Sequence, residues 1–178
     1  MKFDKIKIEG LFLITPDIRY DERGYFFKSY QSKLYREQKI NITITQVNHS
    51  LTKHKGTIRG MHFQKAPFTE AKIVQCLKGN IYDVVIDLRR DSPTYGKWHA
   101  EELSEENKRI LFIPKGVAHG FQTLKDNVEI LYLMSSQYSQ LHSSGVRWND
   151  PYFDIKWPLP TTSLAEKDKK WPLYRPQI

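Results

Sequence analysis

The chain has 178 residues, enough for one domain (1–178) with a real core, and its 39% apolar and 13% aromatic content excludes a disordered chain. Its net charge of +8 is scattered, with no basic stripe interleaved with aromatics, which disfavours nucleic acid and suits a small anionic ligand. No apolar run has the length of a membrane span, MKFDKIKIEGLFLITP lacks the pattern of a secretory signal, and Cys76 has no second cysteine to pair with, so a cytoplasmic chain is expected.

The first predicted element is a helix of about two turns over 32–38, with Ser32 as its N-cap. Segments rich in β-branched and aromatic residues then predict strands over 42–47, 57–62, 73–77, 81–88, 98–103, 110–113 and 128–133. Cys76 lies in one of these apolar runs and reads as a buried thiol. Turn signals punctuate the series at Lys78-Gly79-Asn80, Asp91-Ser92-Pro93 and Pro114-Lys115-Gly116. A single helical turn is predicted over 104–108, where Ser-x-x-Asn replaces a full capping box. The Trp- and Pro-rich stretch WNDPYFDIKWPLP reads as an irregular C-terminal extension wrapped over the strands. Many short strands with little helix predict an all-β sandwich or barrel.

Dinucleotide, P-loop, nucleophile-elbow and HExxH motifs are all missing from the sequence. Pro114-Lys115-Gly116-Val117-Ala118-His119 has the P-x-G-x-x-H spacing of the second half of a cupin metal motif. The first half, Arg59-Gly60-Met61-His62-Phe63-Gln64, supplies one imidazole and then Phe63 and Gln64 where ligands are needed. Two histidines hold a catalytic metal poorly, so no metal is expected. His62, among Arg59, Gln64 and Lys72, suits a general base near neutrality, with the cations attracting or stabilising an anion. It equally suits a strand-end histidine capped by a carbonyl. By local pattern Tyr132 reads as core and Asp168 as a solvated tail residue.

The RGMHFQ motif at 59–64, DSPTYGKW at 91–98, the stretch 114–121 and RWNDP at 147–151 together resemble the dTDP-4-dehydrorhamnose 3,5-epimerase family, from about Leu11 to Asp168. The resemblance implies a jelly-roll cupin barrel, a double-stranded β-helix with short peripheral helices. It also implies a homodimer working without metal or organic cofactor on a nucleotide-sugar substrate. By the same resemblance His62 is the base, Asp168 holds it, and Tyr132 is the acid on the other face of the sugar ring. Diphosphate and sugar contacts are implied for Arg23, Gln46, Asn48, Arg59, Lys72, His119 and Lys167, and base stacking for Tyr138. Arg23 and Phe26 would come from the partner subunit. The implied reaction inverts C3 and C5, or C3 alone, of a nucleoside-diphosphate 4-keto-6-deoxyhexose.

The chain departs from the family pattern at three places. Lys28 stands where a glutamate helps recognise thymine, Ser143 replaces a second acidic residue, and Leu133 replaces the lysine after the catalytic tyrosine. A carboxylate accepts from the imide N–H of thymine, whereas an ammonium only donates. Lys28 therefore suits acceptor-rich edges, which keeps CDP- or GDP-linked sugars open. A sugar-nucleotide-binding cupin without activity is a further alternative, which the retention of His62, Tyr132 and Asp168 argues against. A metal-dependent cupin isomerase or oxygenase is another.

Overall fold

Strands alternate along most of the chain in the computed structural model, which describes residues 1–176. In order they are β1 (Lys2–Lys5), β2 (Phe12–Thr15), β3 (Arg19–Asp21), β4 (Gly24–Phe26), β5 (Gln46–Thr52), β6 (Thr57–Gln64) and β7 (Lys72–Lys78). There follow β8 (Asn80–Asp87), β9 (Trp98–Ser104), β10 (Ile110–Ile113), β11 (Val117–Thr123), β12 (Val128–Met134), β13 (Ser143–Gly145) and β14 (Ser163–Leu164). Helix α1 (Ser32–Glu37) precedes β5, and α2 (Glu166–Lys169) follows β14. One sheet runs β1-β2-β10-β7-β12-β5 and the other β13-β6-β11-β8-β9, with β14 added to β6 and β3-β4 forming a separate hairpin. The neighbours within each sheet pair antiparallel, and the fold is the cupin double-stranded β-helix. No helix among the described residues is long and apolar enough to cross a membrane.

The two sheets face each other over a core that takes Val74, Leu111 and Ile130 from the first and Val85, Val117 and Phe121 from the second. Two outer layers complete the packing. Tyr35 of α1 and Ile40 cover Ile14, Ile73 and Phe112 on the first sheet. On the second sheet Met61, Val84 and Ala118 are covered by Val146, Phe153 and Ile155 of the C-terminal extension, with Trp157 and Tyr174 against them. Burying such side chains contributes about 1.5–3 kcal/mol each, so the extension is held down along its length.

Strands β6 and β11 approach unusually closely where Gly60 faces Gly120. A Cβ at Gly60, whose φ is +150°, would lie 2.5 Å from the Gly120 Cα. Only glycine permits this contact, and it sets His62 directly opposite His119 in the β-ladder.

Several expectations need correction. The strand expected over 42–47 starts later, as β5. Ile42 and Ile44 pack as loop side chains against the α1 layer instead of pairing. Strand β5 reads QVNHSLT because its polar residues turn inward, the reverse of an ordinary amphipathic strand. Strand β11 was hidden inside a motif, since His119 and Gly120 interrupt its apolar pattern, yet it is buried throughout. The weak, exposed patterns of β1, β3 and β4 carried little strand signal. Gln31, not Ser32, caps α1, and it does so without a side-chain hydrogen bond. Residues 105–107 form a turn, closed reciprocally by Ser104 N–H to Asn107 Oδ1 and Asn107 N–H to Ser104 Oγ.

Candidate active site

A cavity of about 400 Å³ opens between the sheets, lined from one side by Asn48, Ser50, Lys72 and Tyr132 and from the other by Arg59, His62 and His119. The inward side chains of β5 that spoil its strand pattern are thus the cavity's polar wall. A larger cleft of about 560 Å³ lies near the N-terminus, but its ionisable lining is lysine and Glu9, with no acid–base set.

His62 donates from Nε2 to Asp168 Oδ1 at 2.6 Å. The tautomer follows from that bond and leaves Nδ1 as the ring nitrogen able to accept a proton. Asp168 is buried, which would raise its carboxyl, but hydrogen bonds from His62, the Gly60 N–H and the Trp171 indole outweigh burial and hold it below the usual range. It stays ionised and can stabilise an imidazolium.

His119 forms a second, fully buried pair, its Nε2 being 2.8 Å from Asp83 Oδ2. Burial raises the Asp83 carboxyl, and the charge and hydrogen bond of His119 oppose it. Lys72 is buried beside Glu70 at 3.2 Å and donates to the His62 carbonyl at 3.2 Å. Burial lowers the affinity of its ammonium for the proton, with Glu70 acting against that effect. Across the cavity from His62, the Tyr132 hydroxyl accepts a long hydrogen bond from Ser50 at 3.5 Å. Burial pushes that phenol up, so it remains protonated and able to donate at neutral pH.

At the mouth, Lys167 donates to Ser143 Oγ at 2.9 Å and sits 5.9 Å from the Tyr138 ring centroid. Gln46 bridges the Tyr138 N–H and the Asn48 side chain, at 3.0 and 2.7 Å. Arg59 is braced by Thr52 Oγ1 and the Leu51 carbonyl.

Most of the expected site residues therefore converge on one cavity, Asp168 standing behind His62. Three do not. Arg23 lies on the exposed β3–β4 hairpin, paired with Asp21, while Phe26 and Lys28 line a separate small cleft, with Lys28 donating to Gln31 Oε1 at 3.2 Å. None of them reaches the cavity of its own chain. Sequence reasoning missed Asp83, Glu70, Ser50 and Trp171. Only Asp83 carried a signal, as an acid set between the apolar residues of β8. Among the described residues, no group of three or more His, Cys, Asp or Glu is arranged to hold a metal ion.

A model of the dTDP-4-dehydrorhamnose 3,5-epimerase family matches residues 5–175. The chain belongs to this family. It is 43% identical over 173 residues to the epimerase of that description from Sinorhizobium fredii, covering 97% of this chain and 89% of the relative. The Bacillus anthracis dTDP-4-dehydrorhamnose 3,5-epimerase, solved with TDP and PPi bound, superposes with a TM-score of 0.94 at 40% identity, covering 97% and 99%. A 3′-monoepimerase from Streptomyces bikiniensis, in complex with dTDP-quinovose, gives 0.87 at 30% identity, covering 94% and 85%. Like its epimerase relatives, the chain is an isomerase.

The buried Glu70–Lys72 pair yields a direct test. Glu70→Gln leaves an ammonium buried without its counter-charge, and such losses cost about 3–5 kcal/mol. Urea denaturation at neutral pH should show a destabilisation of that size; a loss below about 1 kcal/mol would mean that Lys72 is not dependent on Glu70.

Proposed function

We propose that the chain inverts C3 and C5 of a dTDP-linked 4-keto-6-deoxyhexose, with His62 removing the ring proton and Tyr132 returning one from the opposite face. The observation that carries this reading is the Asp168–His62 pair at 2.6 Å facing Tyr132 across one cavity. The C4 ketone acidifies the protons at C3 and C5 and is itself the electron sink. His62 Nδ1 takes a proton, and the electron pair moves into an enolate whose oxygen is stabilised by the Lys72 ammonium. Asp168 stabilises the imidazolium while it lasts. Inversion requires reprotonation from the other face, which one histidine cannot perform; the buried, protonated Tyr132 hydroxyl supplies it.

Binding follows the same layout. Arg59 and Lys167 attract the diphosphate. Tyr138, exposed at the mouth, offers a ring for the base to stack on. A homodimer supplies the residues that one chain leaves out. Val47, Leu51 and Leu77 are exposed on the outer face of the first sheet, and Tyr20, Tyr25 and Phe26 on the hairpin, an apolar surface suited to a second copy. The hairpin carrying Arg23 and Phe26, with Lys28 just after it, then reaches the partner's cavity. Inversion at C3 alone is the second reading, favoured by the similarity to the 3′-monoepimerase.

In deuterated water, His62→Ala should abolish solvent exchange at both carbons, and turnover with it. Tyr132→Phe should keep exchange while losing most net inversion. Exchange surviving His62→Ala would refute the mechanism, and wild-type exchange at C3 with none at C5 would reduce the reaction to monoepimerisation. Sharing of the site is tested by mixing Arg23→Ala with His62→Ala after mild dissociation. Hybrid dimers contain one intact cavity and should recover activity; no recovery would remove the exchanged hairpin. In a competition panel TDP should bind more tightly than CDP or GDP, and a reversed order would transfer the substrate to the nucleotide that Lys28 favours.

A further inference from the structure

We propose that Trp171 is a positioning residue for the proton transfer, its indole N–H fixing the carboxylate that holds His62 and thereby setting the orientation and proton affinity of the base. The proposal rests on the reading of His62 as that base. Asp168 Oδ1 receives two donors, His62 Nε2–H at 2.6 Å and Trp171 Nε1–H at 3.2 Å, while Oδ2 receives the Gly60 N–H at 3.3 Å. The indole also stands edge-on to the imidazole, with ring centroids 6.4 Å apart and planes at 69°.

The ring is itself held in place. It lies against Gly145, where any Cβ would collide with the indole carbons. Arg147 Nε donates to the Trp171 carbonyl at 3.0 Å, and the Lys167 ammonium sits 5.2 Å from the ring centroid. Strand β13, the short helix α2 and the segment after it thus clamp one side chain against the dyad.

Each donor to a carboxylate draws off part of its negative charge and lowers its affinity for a further proton. A carboxylate that shares its charge with an indole N–H holds an imidazolium less tightly. The same bond prevents Oδ1 from swinging away and so keeps Nδ1 aimed into the cavity. The other charged or titratable groups around the dyad are Arg59, Lys72 with Glu70, His119 with Asp83, Tyr132, Lys167 and Arg147. Of these, Lys167 faces the ring itself and Arg147 bonds only the Trp171 carbonyl.

The test compares the pH dependence of kcat/KM for full-length wild type and Trp171→Phe, with TDP affinity and melting temperature measured alongside. Phenylalanine retains an aromatic ring against Gly145 and beneath Lys167 and lacks the donor. The acid limb should move upward by about half a unit to one unit, with kcat reduced roughly three- to tenfold and TDP affinity unchanged. An acid limb at its wild-type position would overturn the proposal, whatever happens to the melting temperature. Asp168→Asn separates this outcome from failure of the underlying reading. Full exchange activity in Asp168→Asn would sink the base assignment itself, whereas an inactive Asp168→Asn beside an unmoved Trp171→Phe limb would sink only the role of Trp171. Should Trp171→Phe not fold, the wild-type indole N–H resonance of Trp171 must follow the His62 imidazole titration by NMR, and indifference to it would equally overturn the proposal.

Discussion

Asp168 reaches His62 from 106 residues away, and the construction of the site depends on that one contact. For the carboxylate to arrive, the C-terminal extension has to cross the outer face of the second sheet. The main-chain N–H and carbonyl of Leu159 both bond the Gln122 side chain, and the Thr162 N–H bonds the Gly56 carbonyl. Strand β14 then adds to β6 in parallel, leaving α2 at the strand that carries His62. Each step fixes the next, so apolar burial of Phe153 and Ile155 far from the cavity is converted into the aim of one carboxylate.

The interior carries an unusual density of charge for a small barrel. Asp83 with His119, Glu70 with Lys72, and Asp168 with His62 place three acid–base pairs around one cavity. Buried charges of this kind do not stabilise a fold efficiently. Their arrangement makes sense as preorganisation, with each cationic or imidazole group held at a fixed position before a substrate arrives. The close contact of Gly60 with Gly120 contributes to the same end by bringing two such groups onto neighbouring strands.

The central strands were legible because β-branched and apolar residues recur between turn signals, and β6 to β10 fall close to where the pattern puts them. Legibility failed where a strand served the cavity. Gln46, Asn48 and Ser50 look like loop residues because the interior they face is polar. His119 and Gly120 disguise β11 for a related reason: one belongs to the site and the other to the close approach beside it. Ile42 and Ile44 misled in the opposite direction, being apolar residues half-buried in a loop.

By itself the sequence determined the fold class, through β-branched and aromatic segments set between turn signals, and the family, through ordered motifs spread along the chain. The resemblance they carry also pointed to His62, Tyr132 and Asp168. Local pattern alone left His62 between base and capped strand residue, and made Asp168 a solvated tail position. Only the tertiary structure decided that Asp168 is buried against His62, that Trp171 shares its oxygen, and that Glu70 and Asp83 are the partners of Lys72 and His119. The physical reason is that a buried charge is defined by its partner, and here the partners come from different strands or from the distant C-terminal segment, or, as with Glu70, look locally like any solvated residue.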